Sequence, residues 1–353
     1  MKQGRSLTQL AEEIVRQKDA KRDFVVDTRH LHMGYDRDLI LDDPKNPETQ
    51  LQLMPSNLCH NQIAERIGIP RQYYDRCLKE APELLARQVN HWFDAKPEQR
   101  MVRTLDGRAR AFLSKKYRRL DNYDLAEAVL TKIKDLQCNV HSCELTETRL
   151  YIKVVTERIT AEVVKGDIVQ AGIVISNSEV GCGRITIEPL IFRLSCLNGM
   201  ISLDHSLKRR HIGRSLELDE GEDVAELFSL HTQQLDDAAF WHKVQDVVAA
   251  TLDEVKFTMI VRKLQESNKK KITGDPVKAI EVTAKMLHLS DNEQGSVLNH
   301  LISGGNLSAY GLVNAVTRSS QDVEDYDRAT ELERLGGQII ELPPNDWAEI
   351  AQA

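Results

Sequence analysis

Glycine and proline are scarce in this chain of 353 residues, 18 and 10 in all. That is below the usual share for a globular protein, so a collagen-like fibre or a low-complexity chain is excluded and helix is favoured. No window approaches 18 consecutive apolar residues, so no membrane-spanning helix is expected. The opening MKQGRSLTQLAEEIVRQKDAKRD has the pattern of an amphipathic helix and lacks the apolar core of a secretory signal, which points to the cytoplasm. The six cysteines (Cys59, Cys77, Cys138, Cys143, Cys182 and Cys196) include no C-x2-C pair and are expected as reduced thiols. Catalytic signatures are missing as well: there is no G-x-S-x-G, no H-E-x-x-H and no paired-carboxylate pattern. The Gly181-Cys182-Gly183 loop lacks both the full dinucleotide fingerprint and the lysine and hydroxyl of a P-loop. No catalytic set, cofactor or metal is therefore nominated.

What is present is ordinary globular usage, 41% hydrophobic and 29% charged, enough for one large domain or two moderate ones. The net charge of -7 is unevenly placed. Residues 320–353 hold nine acidic and two basic side chains, so residues 1–319 sum to zero and the acidity reads as a tail. Within the neutral part, residues 96–121 carry nine basic and three acidic side chains, and Lys208, Arg209, Arg210 and Arg214 form a second basic group. Clustered cations suit a phosphate partner, although a solvated face is the commoner explanation of any single cluster.

The pattern of elements is α+β: a central, mostly antiparallel sheet between helical N-terminal and C-terminal regions. Ser6 and Gln9 form a capping box before a helix over residues 7–18. Residues 1–55 then continue as strand pieces and a Pro/Asn/Asp-rich loop. Residues 56–136 read as helical with a basic hairpin, and residues 137–215 as the sheet, because Leu150, Ile152 and Val154 alternate with Arg149, Tyr151 and Lys153. Residues 216–319 read as helices, with turns at SDNEQG and SGGN, and residues 320–353 as the acidic tail, in which Pro343-Pro344 ends any helix before Trp347.

Two stretches carry chemistry. NQIAERIGIPRQYYDRCLKE has helix-turn-helix spacing, with Ala64, Gly68 and a second helix bearing Arg71, Gln72, Tyr73 and Arg76. The same spacing fits any tight helical hairpin. In RTLDGRARAFLSKKYRRLDNYDL, Asp106-Gly107 reads as a hairpin turn that sets Arg108 and Arg110 on one strand face. Lys115, Lys116, Arg118 and Arg119 then surround Tyr117, cations for phosphates and a ring for a base. Arg149, Tyr151 and Lys153 repeat that chemistry on a strand, and Lys208, Arg209 and Arg210 extend the basic set. His30 with His32, and Cys138 with His141 and Cys143, offer a weaker metal-enzyme alternative.

Four ordered motifs, Leu113-Ser114-Lys115-Lys116-Tyr117-Arg118-Arg119-Leu120-Asp121-Asn122, Phe192-Arg193-Leu194-Ser195-Cys196-Leu197-Asn198-Gly199-Met200, Arg210-His211-Ile212-Gly213 and Ala309-Tyr310-Gly311-Leu312-Val313-Asn314-Ala315-Val316-Thr317, resemble those of the phage/plasmid-like family of bacteriophages and mobile elements. The resemblance runs over about residues 50–330 and implies a setting, phage or plasmid DNA metabolism inside a bacterium, without an activity. Hairpins forming an antiparallel sheet, followed by a long helix, are also similar in outline to single-strand annealing proteins, by analogy of element order alone. The expected function is nucleic-acid binding without catalysis, with single-stranded DNA favoured, by a homo-oligomer. The alternative is an interaction protein that meets a host factor through the acidic tail.

Overall fold

A computed structural model describes residues 1–43, 46–202 and 230–353. These residues form an α+β protein with two sheets and twelve α-helices among the described residues, the first of them α1 (Leu7–Ala20). They divide into two compact units, one of Met1–Leu10, Asp124–Asn177 and Arg184–Ala353, the other of Ala11–Tyr123 and Ser178–Gly183. No described helix is long and apolar enough to cross a membrane.

The second unit holds a sheet that the sequence showed only as fragments. Its strands are β1 (Arg22–Asp27), β2 (Leu31–Met33), β3 (Leu39–Asp43), β4 (Asn46–Pro55), β5 (Gln99–Leu105) and β6 (Arg108–Ser114), in the order β1-β5-β6-β4-β3-β2. The expected hairpin is present. Leu105 pairs with Arg108 across a two-residue turn, and Asp106 and Gly107 both take the left-handed backbone (φ 51° and 74°) that such a turn requires. Ala109 and Ala111 are both buried, but a register shift opposite Arg103 and Thr104 turns them to different faces, Ala109 toward Val102 and Phe112 and Ala111 toward Met101 and Leu113; Arg108 is exposed and Arg110 half-buried.

β4 reaches only the start of β6, at Met54 and Pro55. Beyond that point helix α2 (Asn57–Ile67) occupies the strand edge. Ser56 Oγ donates to the Arg110 carbonyl at 3.0 Å, and the Phe112 N–H donates to Gln62 Oε1 at 2.7 Å. Gly68, left-handed at φ 72°, closes α2 before α3 (Arg71–Glu80), and α4 (Pro82–Ala95) completes the layer. Their apolar faces bury Ile63, Tyr74, Leu85, Val89 and Phe93 against Leu31, Leu41, Val102 and Phe112.

The first unit contains the expected antiparallel sheet, ordered β11-β10-β9-β8-β7: β7 (Asn139–Leu145), β8 (Leu150–Val164), β9 (Asp167–Asn177), β10 (Thr186–Arg193) and β11 (Asn198–Ile201). Around it lie α5 (Asn122–Asp135), α6 (Leu230–Thr251), α7 (Glu254–Lys269), α8 (Pro276–Leu287), α9 (Asp291–Gly304) and α10 (Ala309–Ser319). The SDNEQG stretch is a helix start: Ser290 and Glu293 form a reciprocal capping box on α9.

Residues 320–353 are not a tail. They supply α11 (Tyr326–Ile340) and α12 (Pro344–Gln352), which bury Tyr326, Leu332, Leu335, Ile339, Trp347 and Ile350. Pro344 opens α12 at its first turn, where a missing N–H costs nothing, so Trp347 lies within a helix. Gly337 lets α11 approach the sheet closely, since a Cβ there would lie 2.0 Å from the Ile201 carbonyl oxygen.

Candidate nucleic-acid interface

The basic stretch of the β5–β6 hairpin is organised around a cation that the sequence reading missed. Arg103 is 2% exposed. Its Nε donates to Asp23 at 2.9 Å, Nη2 to Asp121 at 2.7 Å and Nη1 to the Glu179 carbonyl at 2.9 Å. Burial works against its charge, but Asp23 and Asp121 more than compensate and hold the guanidinium firmly protonated. Lys21 binds Asp121 at 2.6 Å and Glu179 at 3.4 Å, Arg110 reaches Glu179 at 3.3 Å, and the Asn122 N–H donates to Glu179 at 2.7 Å. Arg119 completes the set at 3.4 Å from Asp23. One sequence signal was available: Arg103 shares a strand face with the buried Met101, opposite Ala111, whose small side chain leaves room for a guanidinium.

This network divides the expected phosphate-binding residues. Arg110 is largely spent on an internal pair, whereas Arg119 remains 47% exposed beyond its contact with Asp23. Lys115 and Lys116 are exposed on the loop that leaves β6, Arg118 is half-buried, and Arg108 is exposed at the opposite, turn end of the hairpin. Tyr117 does not stand free for a base. Its ring packs beside Met101, Ala111, Leu113 and Val180, and its hydroxyl donates to the Ser178 carbonyl at 2.9 Å. Burial accordingly pushes its phenol above the ordinary value.

The second expected patch lies in the other unit and is not a surface. Arg149 is half-buried in the β7–β8 turn, Tyr151 is buried, and Lys153 is 0% exposed with Nζ 2.7 Å from Glu333 Oε2 and 4.6 Å from the centre of the Tyr326 ring. The strand alternates as expected, but the face expected to meet nucleic acid is covered by α11. Burial lowers the Lys153 pKa, opposed by the charge of Glu333. Lys208, Arg209 and Arg210 lie outside the described residues.

Two of the quoted motifs meet in the first unit as a structural lock. Arg193 grips Asp167 at 2.7 and 2.9 Å, Ser195 Oγ donates to it at 3.1 Å, and the Tyr310 hydroxyl donates at 2.7 Å. Burial opposes ionisation of Asp167, yet these donors keep its carboxyl below the usual range. Asn198 Nδ2 donates to Thr317 Oγ1 at 2.6 Å, tying the same two motifs a second time. His30 ends a 3-10 turn while His32 sits on β2, and Cys143 is buried where Cys138 is half-exposed. Among the described residues no group of three His, Cys, Asp or Glu side chains is placed to hold a metal ion.

The α2–α3 pair has the expected helix-turn-helix form. On α3, however, Arg71 pairs with Asp75 at 2.8 Å and Arg76 with Glu80 at 3.0 Å, each one turn along the same helix. Between the helices, His60 Nδ1 and the Tyr74 hydroxyl share a buried hydrogen bond of 2.9 Å. Burial, helped by the nearby charge of Arg71, lowers the imidazole pKa to about 4. The unfolded chain binds that proton near pH 6.5. Stability from the neutral ring is therefore complete above pH 6.5 and is lost as pH falls toward 4. Thermal melting followed from pH 7 to pH 4 should show a decline that His60→Gln makes shallower; an unchanged slope removes His60 as its source.

Together the two sheets and their helices define an α+β protein whose described residues present cations on a braced hairpin. Residues 111–335 match the family described as Domain of unknown function (DUF932). The match spans more than half of the chain, and the protein belongs to this family. It enters β6 at Ala111 and ends at Leu335 within α11, so it takes in part of the region read as a tail. No curated protein and no solved structure matches the chain.

Proposed function

We propose that this protein binds single-stranded nucleic acid, DNA in preference, without catalysing a reaction on it. The setting would be the DNA metabolism of a phage or plasmid in a bacterial cytoplasm, where a homo-oligomer protects or anneals strands during recombination. One observation carries the reading: Lys115, Lys116 and Arg119 are exposed at the end of a hairpin whose Arg103 and Arg110 are held by Asp23, Asp121 and Glu179. A loop fixed in this way loses little freedom on binding, so its outward cations can hold phosphates at a low ordering cost. Phosphate contacts release counterions, and each contact to a single strand adds roughly 0.7 to the slope of log affinity against log salt.

Fluorescence anisotropy of a labelled oligodeoxythymidine, titrated over a range of salt concentrations, tests the assignment. The double variant Lys115→Ala with Lys116→Ala should bind more weakly than the parent, with a slope shallower by about 1.4 for two lost contacts. Unchanged affinity and slope in the folded variant would remove both lysines from the interface.

A further inference from the structure

Stacking against bases needs an accessible ring near the cations, and Tyr117 is already committed to the 178–183 loop. Trp92 is accessible. It lies near the end of α4 with 37% of its surface exposed, the Lys96 ammonium 5.2 Å from its ring centre and the His91 ring edge-on at 5.4 Å.

Its position follows from the hairpin register. Arg100 pairs with Ser114, so the chain entering β5 from Lys96 and the chain leaving β6 through Lys115 and Lys116 lie at the same end of the hairpin. Thr28 fastens this corner: its hydroxyl donates to the Phe93 carbonyl at 2.9 Å and accepts the Glu98 N–H at 3.1 Å. Phe93, the residue after Trp92, stacks on Phe112 with ring centres 5.6 Å apart and planes 17° from parallel. Phe112 is three residues before Lys115. The acids at this corner are Asp94, which is exposed, and Glu98, which is engaged by Arg66 and Arg100.

We infer that Trp92 is the platform on which the protein stacks a base of the bound single strand, while Lys96, Lys115 and Lys116 take the flanking phosphates. The inference rests on the proposed function and makes its substrate more specific. A duplex keeps its bases within its own stack, whereas a single strand offers a base face to the indole. Lys96 beside the ring adds a cation where the sugar-phosphate chain must pass.

The test compares two labelled probes of equal length, an oligodeoxythymidine and an abasic strand with the same phosphates and no bases. Trp92→Ala should weaken binding of the oligodeoxythymidine about tenfold or more, the loss expected of one stacked base. Its affinity for the abasic strand should stay at the parental value, and Trp92→Phe should recover most of the loss. Lys115→Ala with Lys116→Ala should weaken both probes. Thermal melting confirms that each variant is folded, as expected for an exposed position. If Trp92→Ala binds the base-bearing strand as tightly as the parent, or weakens both probes equally, the stacking role is overturned while the phosphate interface stands. If the parent protein binds neither probe, the proposed function fails and the inference falls with it.

Discussion

Deleting residues 320–353 is expected to abolish cooperative unfolding of the first unit. The deletion removes Tyr326, Leu332, Leu335, Ile339, Trp347 and Ile350, all buried, and burial of each such side chain contributes about 1.5–3 kcal/mol. Their sum is comparable to the whole net stability of an ordinary domain, about 5–15 kcal/mol. It would also strip α11 from the sheet face that holds Lys153. Near-UV circular dichroism during thermal melting reads the outcome directly. A truncated chain with parental ellipticity and an undiminished transition would contradict the placement of α11 and α12 in the core.

Glu333→Ala should cost about 3–5 kcal/mol of unfolding free energy, because it leaves the Lys153 ammonium without its partner in a site closed to water. The double variant Lys153→Met with Glu333→Leu should recover most of that loss, since an apolar pair avoids the desolvation penalty altogether. Urea denaturation of the three proteins forms the comparison. A loss below about 1 kcal/mol for Glu333→Ala, the range of solvent-exposed pairs, would mean that the site is hydrated.

These two results bear on one misreading with two symptoms. The alternation of Leu150, Ile152 and Val154 with Tyr151 and Lys153 was legible, and so was the acidic excess after residue 319. Each was referred to the surface, the strand face to nucleic acid and the acidic segment to a tail. The structure joins them: the acidic segment folds into α11, whose Tyr326 and Glu333 cover Tyr151 and Lys153. Period-2 patterning identifies the two faces of a strand but does not say whether the polar one is wet. A lysine at such a position is consistent with either outcome until its partner is placed.

Local signals were more dependable where the chain makes its own contacts. The Asp106-Gly107 turn, the α2–α3 hairpin closed at Gly68 and the β8–β11 sheet are all set by neighbours in sequence. The six-stranded sheet was only partly legible because β5, from the hairpin, pairs with β1, about eighty residues earlier in the chain. At the candidate site the cations of Lys115 and Lys116 were readable, but the matching of Arg103 and Arg110 by Asp23, Asp121 and Glu179 was not. Asp121 closes the basic run itself, but Asp23 and Glu179 come from distant segments that nothing in the run announces. The ring expected to stack a base, Tyr117, is held by the Ser178 carbonyl and packed among apolar side chains, which its place inside the basic run does not reveal.

The most direct test of the central claim is the affinity of the unmodified protein for oligodeoxythymidine and for a duplex of the same length, each measured across a series of salt concentrations. Binding through Lys115, Lys116 and Arg119 together with base stacking predicts tighter binding of the single strand at every salt concentration. It also predicts affinity that falls as salt rises, with a slope of at least about 2, the value for three phosphate contacts. No binding at low salt, or equal affinity for both probes, would contradict the account.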